Sequence, residues 1–503
     1  MTPRSVDERP VAEGGGGVAV RPMPDADRGG FVERHGLWGD ADYAAAAQLR
    51  RVLDEQGIEL VRLSFCDQHG SLRGKTLTRD ALWGALRDGC TAPSSLLLKD
   101  TSGKSVYPVF TPGAGIGIEG LAGAGDLVLV PDPGTFRVLP WAQGTGWLLC
   151  DLYFPDGTPV PLSTRELCRK ALTRLGGHGY ELTVGVELEF HVFRTVHDGR
   201  DPARPGAPGE PPVVAPLTRG AQLLHEEELD SVDDVVHLLH DGLTALDLPV
   251  RSIELEFGPN QLEVTLAPRP GLAAADAVVL CRGAIRQLCR RNGYHATFMS
   301  RPLGADTASA GWHLHQSLVD SMTGENAFVS TVPGAVLSET GMRYLAGLLR
   351  HAAAAAVFAT PTVNGYKRYQ PFSLAPDRIV WGVDNKGAMV RAVGGAATRL
   401  ENRSGEPAAN PYLYVASQVV SGLAGIEEAL DPGPPTETPY AAEAPRLPGS
   451  LMEALDALER DPVFAPVFGR EVVDWFVTLK RAEVARYLAE VSAWEQREYF
   501  GLF

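Results

Sequence analysis

Apolar and polar residues alternate with a period of two in several short runs along this chain, and each run predicts a strand with one polar and one apolar face. The runs are Ile58–Phe65, Asp126–Val130, Thr183–Phe190, Ile253–Leu266 (two strands about a Gly258-Pro-Asn260 turn), Gly311–Ser317 and Arg399–Arg403. Helical spacing appears instead over Ala41–Glu55, over Leu451–Arg460 behind a Ser450/Glu453 capping box, and from Glu471 to about Glu490. Short strands dominate before Pro159–Pro161, and longer helices alternating with polar-faced strands follow. The pattern therefore predicts an α+β protein with a small sheet-rich domain over residues 39–158 and a large domain over 159–503. Residues 1–38, rich in Gly, Pro, Arg and Asp, read as a tail, and Arg200–Pro216 reads as a surface insertion.

Composition narrows the function classes. The formal net charge of −16 over 503 residues, with no basic stripe, argues against nucleic acid as a partner. Cysteines at 66, 90, 150, 168, 281 and 289 have no paired spacing and fit a reducing cytoplasm. No apolar run is long enough for a membrane span, so membrane is also excluded as a partner. Gly115-Ile-Gly-Ile-Glu-Gly120 matches a dinucleotide fingerprint in letters only, because Pro and further Gly surround it and no helix opens on its last glycine.

The polar faces of the strands carry the candidate chemistry. Glu187 and Glu189 share one face of their strand, His313 and His315 share one face of theirs, and a tight hairpin would set Glu256 nearly opposite Glu263. Glu254 has the same parity as Glu256 and reads as solvated. Carboxylates crowded on a low-dielectric surface repel unless a cation compensates them, and a carboxylate-rich set with imidazole suits Mg²⁺, or Mn²⁺ as a substitute. A basic group follows: Arg368, Lys386, Arg391, and Arg399 and Arg403 flanking Glu401 on one face. Acidic and basic strands in one domain point to polyphosphate bound through metal and arginine together, without a phosphate loop.

In Val186–Glu189, Glu256–Glu263, Gly311–Ser317, Asn364–Arg368, Arg399–Arg403 and Asn410–Leu413 the chain resembles the glutamine synthetase superfamily, among its members those that make γ-glutamyl amides. The resemblance implies a β-grasp-like N-terminal domain and a catalytic domain whose antiparallel strands form a funnel flanked by helices. It also implies stacked rings, usually a dodecamer, with active sites between subunits. ATP would be the co-substrate and glutamate the acid. Glu189, Glu256 and Glu263 would hold the metal nearer the acid; Glu187, His313 and Glu401 would hold the metal on the nucleotide phosphates. Arg368 and Arg403 would grip substrate carboxylates, while Lys386, Arg391 and Arg399 would face the phosphates and the transferred phosphoryl group. His315 and Ser317 would lie near the nucleotide, and Asp100 resembles the neighbouring subunit's aspartate that receives ammonium.

Three departures from the family pattern bear on the substrates. Leu374 stands where ammonia-using members carry a proton-accepting glutamate, Ala308-Ser309 replaces an Asn-Gly pair at the amino-acid end, and Lys386 replaces an arginine. The expected activity is an ATP-dependent ligase joining the γ-carboxylate of glutamate to an organic amine. An ordinary glutamine synthetase and a non-catalytic assembly of the same fold are the rival readings.

Overall fold

The computed structural model describes residues 29–200, 208–303 and 308–503. A six-stranded sheet comes first, from β1 (Leu60–Cys66), β2 (Leu72–Thr78), β3 (Cys90–Pro93), β4 (Asp126–Pro131), β5 (Arg137–Val138) and β6 (Thr145–Tyr153). Its order is β2-β1-β6-β4-β3 with β5 beside β6, antiparallel except for β1 and β6. Of the expected tail, residues 1–28 lie outside the described residues. Residues 29–38 depart from that expectation, since Phe31 and Val32 start a helical turn and bury against Val128 and Val130 of β4.

The larger sheet comprises β7 (Tyr180–His197), β8 (Val213–Ala215), β9 (Val250–Leu255), β10 (Gln261–Pro270), β11 (Tyr294–Thr297), β12 (Trp312–Asp320), β13 (Trp381–Val383), β14 (Val390–Val393) and β15 (Arg399–Gly405). Its order is β13-β14-β15-β12-β7-β10-β9, with β8 and β11 also pairing β7. All pairs are antiparallel except β13 with β14. Val186, Leu188 and Phe190 of β7, Leu314 of β12 and Leu400 of β15 are buried in the core, which leaves the alternate positions for chemistry.

Behind this sheet lies the helix Pro411–Glu427, buried from residue 411 to 425. It begins with Pro at its first turn, and the Asn410 side chain accepts hydrogen bonds from the backbone N–H groups of Tyr412 and Leu413. Glycines let it approach the helix Glu339–Arg350 closely, because a Cβ on Gly347 would meet the Ser421 carbonyl oxygen at 2.1 Å. Glu119–Ala124 is a short 3-10 segment, so no helix follows the glycine run at 115–120.

The first sheet is tied to three of the helices at Arg165, whose side chain is 7% exposed. Its guanidinium donates to Asp132 (2.7 Å), Asp151 (3.0 Å) and both oxygens of Asp276 (3.0 and 2.8 Å), and Tyr412 Oη donates to Asp276 (2.6 Å). One side chain thus joins β6 and the turn after β4 to the helices Thr164–Gly177, Gly271–Arg291 and Pro411–Glu427. Removing one member of a buried ion-pair network strands the others. Arg165→Leu is expected to cost about 3–5 kcal/mol, read as a lowered urea midpoint; a loss below about 1 kcal/mol, the scale of exposed pairs, would show that the carboxylates have other partners.

Candidate active site

β-sheet register assembles the site. β12 places His313 opposite Glu187, β10 places Glu263 opposite Glu189, β15 places Glu401 opposite His315, and β14 places Arg391 opposite Glu401. Single ligand atoms of Glu187, His313 and Glu401 lie within 4.8 Å of one another, and so do those of Glu189, Glu263 and His313. The first trio is the set expected on the nucleotide side.

The second trio departs from expectation. The Glu256–Asn260 connection puts Glu254, not Glu256, opposite Glu263, while the Glu256 N–H bonds the Gln261 carbonyl (3.0 Å). Asn260, at φ 64°, helps set this turn length, which the sequence pattern alone does not specify. Glu256 stays on the same face but half-buried and outside both trios, with Glu254, Lys386 and Glu187 influencing its charge.

The two ends of the acidic face differ electrostatically. At one end His313 Nδ1 is 3.1 Å and His315 Nε2 is 2.9 Å from Glu187; burial works against the Glu187 charge, but these imidazoles hold its carboxyl well below the usual range. Arg399 Nε donates to His315 Nδ1 (3.0 Å), which leaves Nε2 as the proton-bearing nitrogen facing Glu187. Glu401 is fully buried, and burial opposes its charge, yet Arg403 and His313 bring its carboxyl down to about 2. Arg391 donates to it at 2.9 Å and Arg403 also pairs with it.

At the other end relief is scarce. Glu189 accepts from Gln261 Nε2 (2.9 Å) and the Gly311 N–H (2.7 Å), but burial and Glu256 still push its carboxyl up. Burial, then Glu189, Glu187 and Glu256, push Glu263 up to about 10. A donor set of buried carboxylates with one imidazole, most strained where no cationic side chain meets it, fits a hard divalent cation.

The remaining expected residues fall as follows. Arg368 is buried and donates to the Arg403 carbonyl (2.9 Å). Ser309 offers its carbonyl within 3.5 Å of Gln261 Nε2, Ser317 shares the face of His313 and His315, and Lys386 is exposed. Asp100 is not brought to the cluster: its carboxylate accepts from Ser102 and Lys104 and from Arg486 Nε (2.9 Å). Leu374 sits in a loop at φ 58°, 44% exposed, with its carbonyl 3.5 Å from Arg403 Nη2. Phe372 precedes it at φ 60° and 85% exposure, with its ring 5.1 Å from that of Tyr440.

Sequence reasoning missed Gln261 and Asp384 as members of the site. Gln261 has the parity of Glu263, so it carried a legible signal. Asp384 accepts from Arg391 Nε (2.9 Å) and became visible only through the β13–β14 pairing. Tyr440 donates to the Ala375 carbonyl (3.1 Å) and backs the Leu374 loop.

A face of paired carboxylates bordered by arginines, on an antiparallel sheet backed by helices, defines a metal-dependent ligase site of the glutamine synthetase type. Residues 161–499 match the family described as glutamine synthetase, catalytic domain, and the chain belongs to that family. Ligases of this family use ATP and divalent metal ions. Similar proteins include gamma-glutamylanilide synthase of Acinetobacter sp, 45% identical over 494 residues (94% of this chain and 99% of the relative). Gamma-glutamylethanolamide synthetase GlnA4 of Streptomyces coelicolor is 31% identical over 469 residues, covering 90% of this chain and 95% of the relative. A solved structure of apo GmaS without ligand superposes with a TM-score of 0.75 at 29% identity, covering 90% of this chain and 99% of the other. No helix among the described residues is long and apolar enough to cross a membrane.

The raised Glu263 carboxyl has a signed consequence. Its folded value of about 10 exceeds the ordinary 4.5, so the metal-free protein loses stability as pH rises from about 4.5 towards 10, because the unfolded chain ionises more readily. A cation must displace that proton. Mn²⁺ binding at pH 7.5 is therefore expected to release protons, read by titration calorimetry in buffers of different ionisation heat, and to tighten with rising pH. Glu263→Gln should raise the metal-free melting temperature while abolishing most of the Mn²⁺-induced rise; buffer-independent heats with wild type would contradict the assignment.

Proposed function

We propose that this chain is an ATP-dependent amide ligase that phosphorylates the γ-carboxylate of glutamate and couples the acyl phosphate to an organic amine, giving a γ-glutamyl amide. The observation that carries the reading is the single sheet face on which the Glu187–His313–Glu401 trio abuts Arg391, Arg399 and Arg403. Such a face presents fixed positive charge to polyphosphate beside carboxylates that fit metal. The relatives named for anilide and ethanolamide products support an organic amine.

In this reading Glu187, His313 and Glu401 hold the metal at the phosphates, and Glu189, Glu256 and Glu263 the metal nearer glutamate. Mg²⁺ is the resident ion, with Mn²⁺ as substitute. The bound cations supply positive charge against phosphate and carboxylate oxygens. Arg391, Arg399 and Lys386 face the phosphoryl group in transfer, with His315 and Ser317 beside the nucleotide. Arg368 and Arg403 take the glutamate carboxylates, and the Ser309 segment contacts its amino-acid end.

A γ-carboxylate oxygen attacks the γ-phosphorus and ADP leaves; the amine nitrogen then attacks the acyl carbon and phosphate leaves. Leu374 has no lone pair to take a proton from ammonium, which favours an organic amine over ammonia. We further infer a cytoplasmic enzyme, consistent with its six free thiols. It would assemble in rings, a dodecamer in the usual case, in which residues 39–158 of one subunit bring Asp100 towards the neighbouring site.

The test is phosphate release from ATP and Mg²⁺ with L-glutamate, comparing ammonium with mono-, di- and polyamines and weighing the products. Amine-dependent turnover with a γ-glutamyl amide mass is expected, and Arg391→Ala should cut kcat by about 10²–10³-fold. Turnover with ammonium alone would overturn the organic-amine reading and the argument from Leu374.

A further inference from the structure

Two carboxylates from different elements hold opposite ends of the Arg391 guanidinium. Nε donates to Asp384 Oδ1 at 2.9 Å and Nη2 to the same oxygen at 2.5 Å, while Nη1 donates to Glu401 Oε2 at 2.9 Å. Of the five N–H groups of a guanidinium three are thereby taken, and one on each terminal nitrogen is left. The Glu401 contact follows from the ladder, since β14 and β15 set the two residues opposite each other. The Asp384 contact has a separate origin.

Asp384 is the first residue after β13 and turns the chain with φ 49°, a left-handed backbone that Asp tolerates better than most residues. Its N–H donates to the carbonyl of Ala392, the neighbour of Arg391, at 3.0 Å, so the carboxylate rides on backbone pinned beside the guanidinium it meets. The flanking segments are braced as well. Asn385 Nδ2 donates to the Glu437 carbonyl (3.1 Å), the Gly387 N–H donates to Asn385 Oδ1 (3.0 Å), and the Thr436 N–H donates to the Trp381 carbonyl (2.9 Å).

Stability does not account for this arrangement. The Asp384 side chain is 70% exposed, and among the described residues its carboxylate meets Arg391 alone; an exposed ion pair contributes about 0–1 kcal/mol. Attraction of nucleotide does not account for it either, because a carboxylate beside a phosphate-facing arginine repels phosphate. What Asp384 supplies is direction. Glu401 holds Arg391 through one N–H, about which the planar group can turn, and an anchor on the opposite edge fixes the plane.

We propose that Asp384 is a positioning residue that fixes the plane of Arg391, so that its two remaining N–H groups meet the phosphoryl group in transfer, and that it weakens nucleotide binding in doing so. This rests on the ligase reading above and adds to that site a residue that acts only through Arg391.

The experiment measures kcat by phosphate release from ATP with Mg²⁺, L-glutamate and hydroxylamine, a small nucleophile that makes the readout independent of the amine. Calorimetry gives the Kd of a non-hydrolysable ATP analogue with Mg²⁺. The proteins are wild type, Asp384→Ala, Asp384→Asn, Arg391→Ala and the double variant Asp384→Ala with Arg391→Ala. Asp384→Ala is expected to lower kcat by about 10- to 100-fold, the scale of a small misplacement at the reacting group, while tightening the analogue by about two- to fivefold, the scale of one exposed charge. Asp384→Asn, which keeps an acceptor and loses the charge, should retain more of kcat and bind the analogue as tightly as Asp384→Ala. In the double variant kcat should stay where Arg391→Ala alone puts it. An Asp384→Ala enzyme with the kcat of wild type, one that binds the analogue more weakly, or losses that multiply in the double variant overturn the proposal while leaving the ligase intact. A wild type silent with hydroxylamine and with every amine overturns the ligase reading instead. Calorimetry then decides: tighter analogue binding in Asp384→Ala than in wild type supports the proposal, and equal or weaker binding counts against it.

Discussion

Like charges crowded on one face of a buried sheet are the constraint around which the rest of this structure is arranged. Strand alternation aims Glu187 and Glu189 the same way, and antiparallel pairing then sets His313 and Glu263 against them, so the register that builds the fold also concentrates the charge. The sheet resolves only half of the conflict with its own side chains. Towards β15 and β14, hydrogen bonds from His313 and His315 favour the charge on Glu187, and Arg391 and Arg403 pair with Glu401. Towards β10, the groups that weigh most on Glu263 are other carboxylates. The site therefore has a side chain-compensated end, ready to accept further negative charge from phosphate, and an uncompensated end that needs a cation to ionise fully.

Such a face persists only if the opposite one is rigid. Trp312 of β12 packs edge-on against Tyr414 of the buried helix Pro411–Glu427, Gln316 and Asn402 donate to its Gln418, and repulsion on the polar side is borne by that packing. Arg165 extends the same logic between the first sheet and the helices. Three carboxylates from separate segments converge on one guanidinium, an arrangement costly to disturb and therefore specific about how the segments meet. Arg282 adds a second tie, donating to the Pro407 and Ala409 carbonyls and to that of Gly70 in the turn after β1.

Much of this face was legible in the sequence because its chemistry sits on strands, where a period of two states directly which residues share a side. Glu187, Glu189, His313, His315, Arg399, Glu401 and Arg403 follow from parity alone. What parity does not give is register across a connection. Glu256 was expected opposite Glu263, but the connection after Leu255 is longer than a tight turn, so Glu254 takes that place. Contacts that depend on distant segments were hidden for the same reason: Asp384 meets Arg391 through the parallel β13–β14 pair, and Tyr440 meets Phe372 from 68 positions further along the sequence. The short helix at Phe31 was obscured by its glycine- and charge-rich surroundings, since only two apolar side chains mark it.

The division between strands and turn separates two kinds of requirement. Phosphoryl transfer needs charges held to within a fraction of an ångström, and those charges lie on hydrogen-bonded strands whose positions are coupled through the sheet. The Phe372–Leu374 turn lies outside the ladder and is joined to it through the Arg403 contact and the Tyr440 brace. A substitution at Glu401 alters an ion pair shared by Arg391 and Arg403, whereas one at Phe372 alters a solvent-facing ring with a single aromatic neighbour. A change in this turn therefore leaves the charged strand face as it is, because the turn is coupled to that face at few points.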